Sequence, residues 1–192
     1  MFQLIHQNIS RHITLTAAEF DYFTSLLKLK RLRKKQFLLQ EGEVCHYECF
    51  VNSGCLRHYY LSANGQQHIM QFAVADWWIG EQSSFLTNEP SKYFIDVLED
   101  AEVLLISKTE LETLYARVPK FERFFRIAFQ NSYVALQRRI LAGLNQTAEE
   151  RYLDFINRYP DIEQKVPQHQ LAAYLGIKPE SLSRIRKQLS GK

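Results

Sequence analysis

The sequence predicts an α+β protein in which an N-terminal antiparallel β-roll is followed by one long helix and an all-helical C-terminal domain. Three observations predict this order. From about Gln36 to Ile106, short runs of aromatic and β-branched residues alternate with turn signals. After Pro119, apolar residues recur at helical spacing to roughly Asn145. Beyond Thr147, short helical patterns are separated by Pro and Gly.

Three helix starts are marked by capping boxes, in which a hydroxyl accepts a hydrogen bond from an exposed backbone N–H and a Glu reaches back. They are Thr16 with Glu19, Ser107 with Glu110, and Thr147 with Glu150. The first box predicts a helix of about a dozen residues, because apolar side chains recur after it at helical spacing. The basic run that follows, KLKRLRKK, is interpreted as a solvated helix end and a loop.

Four segments have the composition of strands: QFLLQEGE, YECFVNSG, CLRHYYLSANGQQHIMQF and YFIDVLEDAEVLLIS. Within the third segment, Asn64-Gly65 separates two strand-like runs and predicts a hairpin with a type I′ turn, which requires positive φ at both central residues. Short antiparallel strands with close turns indicate a sandwich or a barrel-like roll. Trp77 and Trp78, next to Asp76, are interpreted either as an aromatic cluster at a strand edge or as the lining of a small apolar pocket.

The long helix is apolar around most of its circumference. Its apolar residues include Phe121, Phe124, Phe125, Ala128, Phe129, Ala135, Leu136, Ile140 and Ala142. One apolar stripe would suffice for packing on the roll, so the wider surface predicts a second partner. A twin helix from another subunit is the simplest partner, and burial within one subunit is the alternative. The predicted division is a β-roll (1–118), a dimerisation helix (119–146) and a terminal domain (147–192).

The terminal domain is predicted to contain three helices. The first carries Tyr152, Phe155, Ile156 and Tyr159 on its inner face and ends before Pro160. A loop then leads to Pro167, which suits the first turn of the second helix. Gly176 is expected to end that helix with positive φ, and Pro179 suits the first turn of the last helix.

The last helix has an apolar side and a polar side. Leu182, Ile185 and Leu189 project together, and Glu180, Arg184 and Lys187 lie opposite. Arg can donate two hydrogen bonds to a guanine edge, and Glu can accept one from the cytosine amino group. The predicted base-reading residues are Glu180, Ser183 and Arg184, with Ser181 as a helper. The predicted phosphate contacts, which position a helix without reading sequence, are Lys178, Arg186 and Lys187.

Charge is concentrated in the same region. The net charge of the chain is +3. Residues 173–192 carry five Lys or Arg, of which Lys192 is the last, against one Glu, so this stretch is +4 and the remainder is −1. A plain helical hairpin with a solvated basic face is the alternative, because Glu180 and Arg184 could pair at i,i+4. The rival function is a ligand-binding or protein-interaction module without specific DNA binding.

Nearly the whole chain resembles the Crp/Fnr superfamily of bacterial transcription regulators. LLQEGE, FVNSGCLRHYY, WWIGEQSSFL and LAAYLGIKPESLSRIRKQL occur in the family's order, and the family's recognition-helix pattern falls on Glu180 and Arg184. The resemblance implies a double-stranded, jelly-roll-like β-roll of the cyclic-nucleotide-binding-domain fold and a helix-turn-helix. It implies a homodimer on palindromic double-stranded DNA, an unknown small-molecule effector and RNA polymerase as a further partner. Family members commonly flank the helix-turn-helix with small β-hairpins, and a departure is expected here, because the segment before Pro167 and the three residues given after Leu189 are short for such hairpins.

The candidate effector pocket also departs from the family pattern. Family members that bind cyclic nucleotides use a Gly-Glu-x-Gly turn and an Arg-Ser pair, which fall here on Gly80-Glu81-Gln82-Ser83 and on Ser91-Lys92. The residues that would reach the base fall on Leu136-Gln137. Lys92 offers a single positive charge but not the two parallel hydrogen bonds that Arg can donate to a phosphate. Glu81 could have only a structural role, as a hydrogen-bond acceptor within its own turn. The roll is therefore expected not to bind cAMP. A small apolar effector, another anion held by Lys92, or no effector remain open.

Other functions are not indicated by the sequence. The N-terminus does not resemble a signal peptide and no apolar run approaches the length of a membrane span, so a cytoplasmic protein is expected. Cys45, Cys49 and Cys55 lack the spacing of a metal site and are interpreted as small buried hydrophobes. GxSxG, HExxH, Walker and GxGxxG motifs are missing, so we expect no enzyme, no catalytic or metal-binding residues and no cofactor.

Overall fold

A computed structural model of the chain describes residues 1–190, so Lys192, which was counted in the basic stretch, lies outside the described residues. The described chain forms nine helices and six strands. The N-terminal helices are α1 (Gln3–Ser10) and α2 (Ala17–Ser25). The strands are β1 (Lys28–Leu32), β2 (Phe37–Leu39), β3 (Tyr47–Leu61), β4 (Gln67–Val74), β5 (Trp78–Ile79) and β6 (Tyr93–Ser107), with α3 (Gln82–Thr87) before β6. The remaining helices are α4 (Lys108–Arg117), α5 (Lys120–Asn145), α6 (Ala148–Arg158), α7 (Pro160–Lys165), α8 (Gln168–Leu175) and α9 (Pro179–Ser190).

The strands form one antiparallel sheet in the order β1-β6-β3-β4, with β2 also paired to β6 and β5 paired to β3. The two central strands, β3 and β6, are fifteen residues each. Their pairing shifts register around Val51, Ser53 and Cys55. Such bulges bend a strand and increase its twist, so the sheet curls over its own core. The predicted α+β class, an antiparallel roll followed by C-terminal helices, is confirmed.

Local chemistry accounts for the helix starts. All three predicted capping boxes are present, with each hydroxyl accepting from the backbone N–H of its Glu and each Glu accepting from the cap residue. The predicted long helix is confirmed as α5, which ends at Asn145. Gln146 is extended, and Thr147 then caps α6.

Three predictions about local structure were wrong. The basic run is not a helix end and loop: residues Lys28–Leu32 form β1, because pairing with β6 provides hydrogen bonds that the local pattern does not reveal. The segment from Pro160 is not a loop but the short helix α7, with Pro160 at its first position. Pro167 precedes α8 as its N-cap residue rather than lying in the first turn.

The β3–β4 hairpin is present, but its turn is not type I′. Gly65 has φ +80, whereas Asn64 is not among the residues with positive φ. Gly65 N donates to Ser62 O at 2.8 Å, and Ser62 N donates to Gln66 O at 3.0 Å. This is a three-residue loop in which only the last position is left-handed, another common hairpin connection.

Two hydrophobic clusters hold the described chain together. The first lies inside the roll, with α1, α2, α4 and the start of α5 packed around it. The second cluster joins the roll to the C-terminal helices. Its buried members are Cys55, Tyr59, Ile69, Phe72, Val74, Tyr152, Phe155, Ile162, Val166, Leu171, Ala172, Leu182 and Ile185. The terminal helices therefore pack on β3 and β4 of their own chain.

Candidate DNA-binding surface and effector cavity

The turn between α8 and α9 is built around Gly176, as predicted. Gly176 has φ +66, a conformation in which a side chain is disfavoured. Its N–H donates to Ala173 O at 3.3 Å, and Ile177 N donates to Ala172 O at 3.0 Å. This pair of bonds is a Schellman motif, which satisfies the last carbonyls of α8. The chain then reverses, and Pro179 opens α9.

The predicted apolar and polar sides of α9 are separated in the structure. Leu182 and Ile185 are buried, and Leu189 is partly buried. The predicted base-reading residues Glu180, Ser183 and Arg184 are exposed, and Ser181 is half-buried. Of the predicted phosphate contacts, Lys178 and Lys187 are exposed. One side of α9 is thus anchored in the second cluster, and the other presents a carboxylate, a hydroxyl and a guanidinium to solvent.

Arg186 lies on the flank of α9 that faces α7. Its Nη2 is 3.5 Å from Glu163 Oε1. Glu163 also accepts a hydrogen bond from the Tyr152 hydroxyl of α6. These contacts tie α9 to α6 and α7, so a phosphate contact by Arg186 would compete with an existing ion pair.

Helix α5 has two apolar faces, and only one of them is covered. Phe121, Phe124 and Phe125 at its start are buried in the roll core. The other face is exposed, with Tyr133 at 61%, Ile140 at 55% and Leu144 at 76% of full accessibility. Phe129, Tyr133, Leu136, Ile140 and Leu144 share this outer face at spacings of four, three, four and four residues. This approximates the heptad spacing of helices that pair with a twin.

A cavity of about 1000 Å³ lies between the roll, the inner face of α5 and the C-terminal helices. Seven of the predicted pocket residues line it: Gly80, Glu81, Gln82, Ser83, Ser91, Lys92 and Leu136, the last of which lies at the border between the inner and outer faces of α5. Gln137 does not line it, because its side chain is exposed and donates to the Tyr133 hydroxyl at 3.1 Å. The cavity therefore brings together side chains from distant parts of the sequence.

The turn at Gly80 is closed by its own hydrogen bonds. The Glu81 carboxylate accepts from Ser83 N at 3.0 Å and from Ser84 N at 2.9 Å, so it caps α3. The Ser91 hydroxyl accepts from Tyr93 N at 3.0 Å. The two polar groups that stand at the family's nucleotide-binding positions are thus occupied within the fold.

Glu48 is a buried carboxyl behind this turn that the sequence did not reveal. It is 3% exposed, and Gln82 Nε2 donates to its Oε1. Burial raises the pKa of Glu48 to about 7, against a smaller lowering by the Gln82 bond. A Cβ at Gly80 would lie 2.7 Å from Glu48 Oε2, so a side chain at position 80 would require the Glu48 carboxyl to move. The only sequence signal was a Glu beside the apolar run Cys49–Val51.

The inner wall of the cavity is aromatic. Its rings are Trp77, Trp78, Tyr93, Phe124, Tyr159 and Tyr174. Trp77 and Tyr159 meet edge-on with centroids 5.2 Å apart. Burial lowers the pKa of His58, which also lines the cavity, to about 4, so its imidazole is neutral near neutral pH. The sequence left open whether the tryptophans lined a pocket, and the structure places both in this wall.

Arg139 is shared by this cavity and a smaller one of about 470 Å³ beside α6 and α8. Its Nη1 donates to Met70 O at 2.7 Å and to Ile69 O at 3.3 Å on β4. Its guanidinium also lies over the Tyr174 ring, 4.8 Å from the ring centre. One side chain of α5 therefore contacts both the roll and the first helix of the helix-turn-helix.

Cys45, Cys49 and Cys55 are free and buried. Burial raises the pKa of the Cys55 thiol to about 12 and that of Cys49 further. Within residues 1–190, no three His, Cys, Asp or Glu side chains are grouped so that they could hold a metal ion. In the same residues, no helix is long and apolar enough to cross a membrane.

Residues 29–118 match the model of the cyclic nucleotide-binding domain. The chain is 26% identical over 184 residues to the anaerobic regulatory protein of Aggregatibacter actinomycetemcomitans, which covers 90% of this chain and 71% of that protein. It is 24% identical to the fumarate and nitrate reduction regulatory protein of Vibrio cholerae, and the aligned region covers 90% of this chain and 73% of that protein. Both relatives are named as regulatory proteins.

Among solved structures, FixK2 from Bradyrhizobium japonicum has a TM-score of 0.76 at 20% identity, with 86% of this chain and 85% of that chain covered. A c-di-GMP responsive global regulator from Xanthomonas campestris has a TM-score of 0.72 at 14% identity, with 92% of both chains covered. At these identities the structural likeness concerns the fold.

Proposed function

We propose that this chain, a protein of the Crp/Fnr type, acts as a homodimeric, sequence-specific DNA-binding regulator whose roll senses an effector. The observation that carries the proposal is α9. Its apolar side is anchored against α6 and α8, and Glu180, Ser183 and Arg184 project together into solvent. A helix held in this way can enter a major groove, where the Arg184 guanidinium can donate hydrogen bonds to base edges and the Glu180 carboxylate can accept them.

The proposed dimer rests on the outer face of α5. Leaving Phe129, Tyr133, Leu136, Ile140 and Leu144 in water costs free energy that pairing with a second copy would recover. Side chains at this spacing interdigitate when two α5 helices lie side by side. A two-fold axis along that contact relates two α9 helices, which fits a palindromic site.

In this proposal Glu180, Ser183 and Arg184 read bases, and Ser181 assists them from the edge of the helix. Lys178 and Lys187, both exposed, contact phosphates. Arg186 joins them when its pair with Glu163 opens. RNA polymerase is a further expected partner on the basis of the family resemblance.

The roll is proposed not to respond to cAMP. A buried cyclic phosphate needs charge-assisted donors with fixed geometry. Glu81 and Ser91 are engaged in local hydrogen bonds, and Lys92 is exposed. Ser83 supplies a side chain where close backbone approach favours Gly. Calorimetric titration with cAMP should therefore give no binding at micromolar concentrations, and micromolar binding that also alters DNA affinity would contradict this part of the proposal.

The main proposal is tested by selecting bound sequences from a pool of random DNA duplexes and measuring the mass of the free chain by light scattering. A dimer that enriches a palindrome supports it. A monomer that enriches no sequence overturns it and favours the rival function, a ligand-binding or protein-interaction module.

A further inference from the structure

We propose that the large cavity binds an uncharged, flat aromatic molecule. This inference rests on the proposed function, because it identifies the chemical class of the effector that the roll would sense. It is carried by three observations: the aromatic wall, the state of the charged groups around it, and the position of the cavity between the roll and the helix-turn-helix.

The first observation is the wall itself. Two tryptophans, three tyrosines and a phenylalanine line the cavity. They are held by one another and by polar anchors at their edges: Trp78 Nε1 donates to Asn8 Oδ1 at 3.1 Å, and Tyr174 packs on Phe155 with centroids 5.3 Å apart. Rigid aromatic surfaces favour a planar apolar ligand that can stack or meet them edge-on. At about 1000 Å³ the cavity can contain a molecule of two or three rings.

The second observation is that the inner charged groups already have partners within the fold: Asp76 has an ion pair, and Glu81 and Arg139 are hydrogen-bonded to the backbone. Asp76 accepts from Asn8 Nδ2 at 2.9 Å and its other oxygen is 2.7 Å from Arg11 Nη1. Glu81 caps α3, and Arg139 is bonded to the carbonyls of Ile69 and Met70. The remaining charged lining residues, Glu89 and Lys92, are exposed.

The consequence for the ligand is a selection against charge. An anion or a cation in the interior would lose its water, and the charged groups that it could approach are already engaged by Arg11 or by backbone hydrogen bonds. Its loss of hydration would therefore be poorly compensated. The neutral His58 imidazole adds no charge of either sign near neutral pH. An uncharged ring loses little on leaving water and gains contact with the wall.

The third observation gives such a ligand a route to the DNA-binding helices. Tyr93 and Trp77 belong to the roll region, Phe124 belongs to α5, and Tyr159 and Tyr174 belong to the terminal helices. A molecule in the cavity can therefore contact all three parts at once. Its binding would favour the arrangement in which these walls fit it best, and it would shift DNA affinity by that difference.

The test uses three dyes that share one ring system and differ in charge: dansyl amide, which is neutral, dansyl sulfonate, which is an anion, and dansyl cadaverine, which is a cation. The two tryptophans of the chain both line the cavity. A dye bound there should therefore accept energy from tryptophan, and its Kd can be read from dansyl emission. We expect the neutral dye to bind at least about tenfold more tightly than either charged dye. Equal or tighter binding of a charged dye, or no binding of the neutral one, overturns the proposal.

A matched pair of variants locates the dye. Ala128 and Ala142 both lie on the inner side of α5, but Ala128 lines the large cavity and Ala142 lines only the smaller one. Ala128→Phe should weaken the neutral dye, whereas Ala142→Phe should leave it unchanged. The reverse pattern would place the dye in the smaller cavity and overturn the assignment. If Ala128→Phe fails to fold, the comparison of the Kd values of the neutral and charged dyes on the unaltered chain still tests the proposal.

The dye titration needs no DNA, and the DNA selection needs no effector. Selective dye binding without an enriched DNA sequence would contradict the regulator proposal alone. An enriched palindrome without selectivity for the neutral dye would contradict the effector class alone.

Discussion

Arg184 lies on the exposed side of α9, four residues after Glu180 and one turn before Lys187. If its guanidinium donates two hydrogen bonds to a guanine, Arg184→Ala should cost about 1–3 kcal/mol of binding free energy on the selected site. The variant should also lose its preference for one base at one position of the site. Fluorescence anisotropy with the selected duplex and its single-base variants measures both effects.

Lys187→Ala is the matched control for Arg184→Ala. A phosphate contact carries no sequence information, so its loss should weaken all duplexes alike and reduce the salt dependence of binding. If Arg184→Ala weakened specific and random DNA by the same factor, Arg184 would be a phosphate contact and not a base reader.

Glu48 makes stability depend on pH. Its folded-state pKa of about 7 lies above the ordinary 4.5, so the folded chain binds more protons than the unfolded chain between these values. Stability from this group is therefore present at low pH and lost as pH rises through 7. Between about pH 5 and pH 8, the free energy of unfolding of the unaltered chain should fall by on the order of 3 kcal/mol because of Glu48. In Glu48→Gln this decrease should be absent. Urea unfolding at both pH values checks it, and an unchanged difference in the variant would show that Glu48 is not responsible.

On the scale of single residues, the sequence predicted those features that depend only on nearby positions in the chain. The two sides of α9 follow from spacing alone, and so does the positive φ of Gly176. Glu48 and Gln82 are thirty-four positions apart and meet because β5, which ends just before Gln82, pairs with β3 next to Glu48. Tyr93, Trp77 and Tyr174 are likewise distant from one another in sequence, so the aromatic wall could not be assembled from local patterns.

On the scale of elements, the outer face of α5 is the feature that remains unpartnered in one chain. Ile140→Glu places a charge in the middle of the proposed seam and should weaken dimerisation at least about a hundredfold. Val134→Glu is the control, because Val134 is also exposed on α5 but lies off that seam. Sedimentation equilibrium should show a monomer only for the first variant. A dimer that survives Ile140→Glu and is lost with Val134→Glu would place the interface elsewhere on the helix.

The turn that sets α9 against α8 can be tested with two glycines. A Cβ at Gly176 or at Gly143 meets nothing within 4 Å, so neither substitution should create a clash. Gly176 has φ +66, and Gly176→Ala should lower the free energy of unfolding by roughly 1 kcal/mol. Gly143 lies in α5 with ordinary helical φ, and Gly143→Ala should raise it by roughly 0.5–1 kcal/mol. Chemical denaturation measures both, and changes of the same sign would contradict this account of the turn.

Elements with a clear local signal, either a capping box or a strand-like composition, were predicted, whereas β1, which lacks such a signal and depends on a distant partner, was not. The capping boxes at Thr16, Ser107 and Thr147 act within one turn, so their sequence pattern sufficed. Strand β1 is defined by its pairing with β6, more than sixty positions away in sequence, and its three basic residues concealed it. The β3–β4 hairpin was recognised, but the φ of Asn64 depends on loop length, which the dipeptide alone does not fix.

On the scale of the whole molecule, the terminal helices are docked on the roll through the second cluster and through Arg139. The carbonyls of β4 and the ring of Tyr174 hold the same guanidinium. The position of α9 relative to α5, and hence the distance between the two recognition helices of a dimer, is therefore set by contacts that surround the cavity. This geometry links sensing and DNA reading in the proposed regulator.

The spacing of half-sites in DNA selected by the full chain and by Ile140→Glu tests the central claim most directly, since it depends on both dimerisation and base reading. For the unaltered chain we predict inverted half-sites about 34 Å, or roughly 10 base pairs, apart from centre to centre. For Ile140→Glu we predict the same half-site without a fixed spacing. A fixed inverted repeat with Ile140→Glu, or no enriched sequence with the unaltered chain, would contradict a dimer that reads DNA through α9.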